Sequence, residues 1–503
     1  MNRSKVFLYN SSSAALLQIV TVIAGFIIPR IMLTVYGSEI NGLVTSISQF
    51  IGYFNLVEAG LASAAVYSLY KPLAEKDTKG INAILSASRH FYNQSGYIFV
   101  SLVLGLAVIY PAFIKSSAVG TLEIAILVVV LGFSGALEFF TMSKYRVLLT
   151  ADQKAYVLSL ASICSIILMT IIIAVLASYE VNIVVVRAVA LCAVFLRSFI
   201  LHFYVKRNYD YVDYYKEPNN AALNKRWDAL YLQILGSVHT GAPVIIATLF
   251  TSLKTVSVYS IYNMVLGGIA GLLSVAVNGL FASFGDVIAR NEQGVLQQAY
   301  QEFELVYYML ITWVYSCSIV LIMPFIKLYT QGVYDVNYNV PLIGFLFVLN
   351  GLMYNIKTPQ GMLVISAGLF KETRVQTTIQ GLIAVVAEVV LAQFWGLAGI
   401  LIGAILSNLY RDIDLLFFIP RNVTRLPVRN TFYRIVRIFI CCAIIIFPFK
   451  YITIHTVSYL DWTQTAILVS IYAALVVLLI NVILDRKTFV NVIRRFGAIF
   501  AKK

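Results

Sequence analysis

Long apolar runs separated by short polar breaks set the pattern of this chain. The first run, residues 14 to 36, is interrupted only by Gln18, two threonines, Gly25 and the Pro29, Arg30 pair. At about 20 apolar residues per crossing, the runs predict helices over 9–36, 40–69, 92–114, 121–142, 156–179, 181–205, 229–251, 258–284, 303–327, 339–367, 375–395, 397–419, 438–456 and 464–484. The predicted fold class is all-α, a polytopic membrane protein of about 14 transmembrane helices. The opening MNRSKVFLYN leads into an apolar run too long for a cleaved signal, so the first segment is expected to be retained as a spanning helix.

Composition agrees with this solvent. Hydrophobic residues make up 60% of the chain and charged residues 12%, with a mean hydropathy of +0.85, against about 45–50% and 25% in soluble domains. The net charge of +14 changes the picture only through its distribution. Arg30, Arg187, Arg197 and Lys357 lie inside predicted spans. Of the remaining Lys and Arg, about 29 fall in loops on the side shared by both termini and about four (Lys115, Lys254, Lys327, Lys450) on the other. That asymmetry predicts cytoplasmic N- and C-termini. The basic loops are then partners of anionic membrane lipids, not of nucleic acid.

Motifs for chemistry are missing. The outer loops are short, the longest being LYTQGVYDVNYNV, and none offers paired carboxylates. No phosphate-binding glycine loop, no H-E-x-x-H and no Ser/His/Asp set with workable spacing occurs. An enzyme is therefore not expected. The five cysteines lie in apolar stretches without metal-ligand or C-x-x-C spacing and read as small core residues, with no metal and no bound cofactor.

The chain also repeats. LLQIVTVIAG (16–25) resembles YLQILGSVHTG (231–241), KGINAILSASRHF (79–91) resembles QGVLQQAYQEF (293–303), and LLTADQKAY (148–156) resembles VISAGLFKET (364–373). All three pairs give an offset of about 215 residues. Six helices repeating as six, an even number, predicts two parallel lobes with a cleft between them as the substrate path. The expected domains are an N-lobe over 1–206, a cytoplasmic linker over 207–228, a C-lobe over 229–420, and a final part over 421–503 comprising a basic loop, two extra helices and an amphipathic tail.

The first helix with its Pro29, Arg30 pair, the following YGSEINGL, and FNLVEAGLASAAVYSLYKPLAEKD with its acidic-small-Gly-Leu turn resemble the polysaccharide-transporter (Wzx-type) flippases. These belong to the multidrug/oligosaccharidyl-lipid/polysaccharide (MOP) exporter superfamily, with the multidrug and toxin extruders and the peptidoglycan lipid flippase. The resemblance covers the whole chain in helix count, repeat and the linker KPLAEKDTKGINAILSASRHFY. It implies alternating access that carries an undecaprenyl-pyrophosphate-linked oligosaccharide from the inner to the outer leaflet, for capsule or other surface polysaccharide, with polysaccharide assembly proteins as further partners. It also implies cations in the inter-lobe cavity, one of them in the first helix, where Arg30 is the matching position.

Buried ionisable residues are the candidate site. An arginine at mid-membrane costs about 2.5–3.5 kcal/mol and calls for a partner, a wet cavity or an anionic ligand. Arg30 offers a permanently charged fork for pyrophosphate oxygens, and Pro29 is expected to kink the helix toward the cleft. Alternatively Arg30 snorkels to the nearby interface. Lys357 and His239 are the other expected substrate-binding residues. Glu58 is the candidate for coupling to H⁺ or Na⁺, with a cross-lobe contact to Lys357 as a second reading. Arg187 and Arg197 are expected to reach opposite interfaces, and Glu123, Glu138 and Glu388 either pair with cations or titrate neutral. The tail DRKTFVNVIRRFGAIFAKK reads as an interfacial helix, and the four-residue glycine spacings at Gly267/Gly271 and Gly399/Gly403 as close helix packing. Two other functions remain open: a cation-coupled multidrug-type antiporter, and a membrane glycosyltransferase or polymerase.

Overall fold

A computed structural model describes residues 3–58, 61–219, 237, 241–451 and 457–501. Among them there is no β-strand, as the apolar periodicity requires. The chain divides into two compact units, Met1–Ser260 and Ile261–Lys503.

Unit 1 begins with α1 (Arg3–Ile31), a π-helical turn Met32–Tyr36 and α2 (Gly37–Phe54). Among the described residues, ten helical stretches are long and apolar enough to cross a membrane, and one of them runs from Leu8 to Glu58. Fifty-one residues would extend about 77 Å, more than twice the hydrocarbon thickness. The stretch therefore has to turn, and it does so at Gly37, whose φ of +80° is open to glycine at no steric cost. The expected span 40–69 is not one helix: it breaks through a 3₁₀ turn at Asn55–Glu58 before α3 (Leu61–Glu75). Next come α4 (Thr78–Phe113), α5 (Thr121–Leu137), a second π turn Glu138–Met142, α6 (Ser143–Ala151), α7 (Ala155–Ser178), α8 (Ile183–Asn208) and the short α9 (Gly241–Phe250). Residues after α8 are strapped along α4: Asn82 Nδ2 donates to Tyr211 O at 3.0 Å and the Lys216 amide to Ser86 Oγ at 3.1 Å.

The helix α10 (Leu253–Asn278) carries the boundary between the units, and α11 (Phe281–Ala289), α12 (Gln293–Tyr329), α13 (Pro341–Ile356), α14 (Thr358–Ser366), α15 (Arg374–Ile419), α16 (Val428–Ile446), α17 (Tyr459–Leu484) and α18 (Arg486–Ala501) follow. The 51-residue stretch Arg374–Thr424 is again too long for one crossing and folds back at Gly396, φ +53°. Its two arms pack closely: a Cβ on Gly399 would lie 2.0 Å from Leu391 O, and one on Gly403 2.5 Å from the Glu388 amide nitrogen. Gly267, by contrast, has nothing within 4 Å of such a Cβ. The glycine spacing expected to pack helices does so at 399/403 and leaves Gly267 open.

The repeat read from the sequence is written in the backbone. Residues 79–91 and 293–303 open α4 and α12, helices of 36 and 37 residues. Left-handed residues recur at Lys76 and Asn291, Gln153 and Gly368, and Glu180 and Gly396, offsets of 215, 215 and 216 residues. Each ends one helix and starts the next, which is where such a φ reverses the chain.

Candidate functional site

In α1, Pro29 lacks the amide that would bond to Gly25, and after Ile31 the helix widens into the π turn Met32–Tyr36. Thr34 Oγ1 donates to Arg30 O at 2.9 Å. Arg30 is half-buried in the last α-turn, with Met32 and Leu33 buried beyond it.

Glu58 is held at the 3₁₀ break of the second span, opposite α6. Arg146 Nη2 donates to both of its carboxylate oxygens, at 2.8 and 2.7 Å. Arg146 Nη1 reaches Glu138 Oε1 at 3.5 Å, and Arg197 Nη2 stands 3.9 Å from the same oxygen. Two carboxylates and two guanidiniums, drawn from four segments, make a neutral cluster. The Nε atoms of both arginines and Tyr92 Oη are buried with no hydrogen-bond partner among the described residues. Both non-α turns of this region, Asn55–Glu58 and Glu138–Met142, supply an acid to it. Arg197, expected to reach an interface, has its guanidinium 3.9 Å from the Glu138 carboxylate. Arg187 is half-buried, and its Nε has no hydrogen-bond partner among the described residues. Glu123 closes the start of α5, accepting from the Gly120 amide at 3.1 Å and from Asn182 at 3.0 Å.

Unit 2 presents a different arrangement. Lys357 sits where Thr358 and Pro359 break the expected span 339–367 into α13 and α14. Its Nζ donates to Asn408 Oδ1 and lies 4.6 Å from the Tyr354 ring centre; Asn408 in turn donates to Asn350 at 2.9 Å. One turn past Asn408, Asp412 is buried with neither carboxylate oxygen bonded among the described residues, and Glu388, 0% exposed, is in the same condition. His239 lies outside the described residues.

A third polar network fastens the last helices to α12. Arg434 Nη1 donates to Glu304 Oε2 at 2.8 Å, while its Nε and Nη2 donate to Asp485 Oδ2 at 2.9 and 2.8 Å. Thr431 and Tyr300 hydroxyls each donate to Glu304 Oε1 at 2.8 Å. Arg437 Nη1 stands 3.9 Å from Asp485 Oδ2, so two guanidiniums face two carboxylates, and the network reads as structural. Arg146, Asn408, Asp412, Glu304 and Arg434 were not singled out in the sequence. The charge count assigns Arg146 to a loop, yet it follows Glu138 by eight residues on one continuous helix, and that spacing places the two on neighbouring faces.

No family model matches the sequence, and no curated protein is detectably similar to it. Solved structures are. A structure of lipid II flippase MurJ in an inward closed conformation superposes with a TM-score of 0.74 at 15% identity, covering 95% of this chain and 99% of that one. An inward-facing multidrug resistance MATE family transporter of the MOP superfamily gives 0.64 at 15% identity, covering 84% and 95%. MATE in a bent conformation gives 0.56 at 15% identity, covering 88% and 98%. This chain is a multi-pass membrane protein with the helical fold seen in lipid II flippase MurJ and in the MATE transporters.

Proposed function

We propose that the protein is a flippase that moves an undecaprenyl-pyrophosphate-linked oligosaccharide from the inner to the outer leaflet of a bacterial cytoplasmic membrane by alternating access, supplying capsule or another surface polysaccharide. One observation carries the reading: the likeness to MurJ extends over 95% of this chain, whereas the inward-facing MATE transporter covers 84%. The sixth of the chain left over in the second case is close in size to residues 421–503, the segment beyond the repeat.

Arg30 is the residue assigned to the pyrophosphate. In unit 1 the cations Arg146 and Arg197 are matched by Glu58 and Glu138, so that cluster is already neutral, while Arg30 stands in the last turn of α1, next to Pro29. A guanidinium supplies paired donors for phosphate oxygens and keeps its charge in a dry cleft. Lys357 and His239 are the other residues assigned to substrate binding. In reconstituted vesicles, Arg30→Ala should abolish transport of a lipid-pyrophosphate sugar, Arg30→Lys should retain part of it, and Arg30→Glu should be worst, all normalised to folded protein. Transport by Arg30→Ala at the wild-type rate removes the arginine from the site. Single cysteines at Lys216 and Asp461, in a cysteine-free background, test the orientation: only the second should be labelled from outside.

A second reading, a cation-coupled multidrug-type antiporter, draws on the unbonded carboxylates of Glu388 and Asp412. Loss of drug efflux in Glu388→Gln, with lipid transport absent from the wild type, would favour it. Within the flippase reading, Glu58 remains the proposed H⁺ or Na⁺ coupling site, acting by exchanging Arg146 for the ion.

A further inference from the structure

We infer that a groove between α11, α12 and the tail helix α18 is a binding site for an anionic phospholipid of the leaflet on the tail's side, with one acyl chain in the groove and its phosphate on Arg495. The groove encloses about 450 Å³, within the range of built ligand sites. Ten of its thirteen lining side chains are hydrocarbon or aromatic, among them Phe284, Val295, Phe303, Val306 and Val492. The polar ones include Glu302 and Arg495, paired at 2.7 Å. They differ in exposure: the Glu302 side chain is 7% exposed and Arg495 56%. One guanidinium N–H is thus spent on fixing the arginine at the groove, on a side chain that carries five donors.

The position suits a lipid. At 37 residues α12 is about 55 Å long, so its polar opening, QGVLQQAYQE, has to stand beyond the roughly 30 Å hydrocarbon core. Residues 295 to 306 then cross the interface, where an acyl chain begins. The charge is complementary too. From Arg486 to Lys503 the tail carries Arg486, Lys487, Arg494, Arg495 and two terminal lysines, and no acidic residue, while Ile493 turns a half-exposed apolar side chain outward. A free anion would leave the apolar lining unfilled, and a zwitterionic lipid would not use the charge of the tail.

Native mass spectrometry of the full chain, with phosphatidylglycerol and phosphatidylcholine of equal chain length added in turn, reads the site. Wild type should retain phosphatidylglycerol about fivefold better, from the energy of one basic residue at an anionic headgroup. Val295→Trp fills the groove from a half-exposed position and should abolish the retained adduct. Arg495→Glu should equalise the two lipids, and Leu468→Trp, on an exposed face of α17, should change nothing. Retention by Val295→Trp overturns the groove as the site. Equal retention of both lipids by wild type overturns the headgroup assignment. Displacement of phosphatidylglycerol by an equimolar isoprenyl phosphate overturns the choice of occupant. Because none of these readouts measures transport, a failed flippase assignment leaves them unaffected.

Discussion

In unit 1 the half-buried carboxylate of Glu58 receives two hydrogen bonds from Arg146, which also reaches Glu138; in unit 2 the buried carboxylate of Glu388 receives none from the described residues. The two units share three left-handed positions 215 or 216 apart and treat charge in opposite ways. An isolated ionised carboxylate in hydrocarbon is too costly to persist, so a group in the state of Glu388 either takes up a proton or binds a cation. A compensated cluster such as Glu58–Arg146–Glu138–Arg197 keeps its charges and holds four segments together. A repeat therefore fixes where the chain turns and leaves each half free to place its ions differently.

The sharpest way to break this contrast is to remove one side of the unit 1 pair. Arg146→Ala leaves Glu58 with no guanidinium and should lower stability by about 3 kcal/mol, the low end for a buried pair given that both side chains keep some exposure. The double change Glu58→Gln with Arg146→Gln should recover most of it. Thermal unfolding in detergent measures both. A double variant no better than Arg146→Ala would mean that the cluster does not act as a pair.

At the close crossing of the α15 arms, Gly403→Ala should cost about 1–3 kcal/mol, because the added methyl meets the backbone of Glu388. Gly267→Ala, which meets open space, should stay within about 0.5 kcal/mol of wild type or stabilise. The same melting experiment ranks them, and equal values would remove the distinction.

Glu388→Gln should be nearly neutral in stability, since no bond is lost and an ionisable group is taken out of a dry site. A loss as large as that of Arg146→Ala would mean that unit 2 also holds its carboxylate as a charged partner. The smallest expected effect concerns the link from α16 to the tail. Burial by itself would raise the Asp485 carboxyl, but Arg434, the Thr488 hydroxyl and Arg437 outweigh it and hold it below its ordinary value of 3.8. Such a group contributes stability above pH 3.8 that is lost as pH falls through the lowered value. Protease nicking of the tail should therefore stay constant from pH 8 to 5 and rise only in strong acid; Asp485→Asn should be more readily nicked at neutral pH.

The rows of apolar residues determined the all-α membrane class, because a bilayer admits only segments whose backbone bonds are internal. They also carry the repeat offset, since matching loop lengths and cap residues leave a periodic trace. What the sequence left open was the bearing of each charged side chain. Arg146 is 88 residues from Glu58, and no local pattern relates a loop-like SKYRVLL to a turn at NLVE. Glu58 and Lys357, read as candidate contacts of each other, have other partners in their own units, Arg146 and Asn408. Helix periodicity gives a face, but the neighbour on that face is chosen by how helices distant in sequence pack. Only the tertiary structure therefore decided which buried ions are neutralised and which are left to a proton or a ligand.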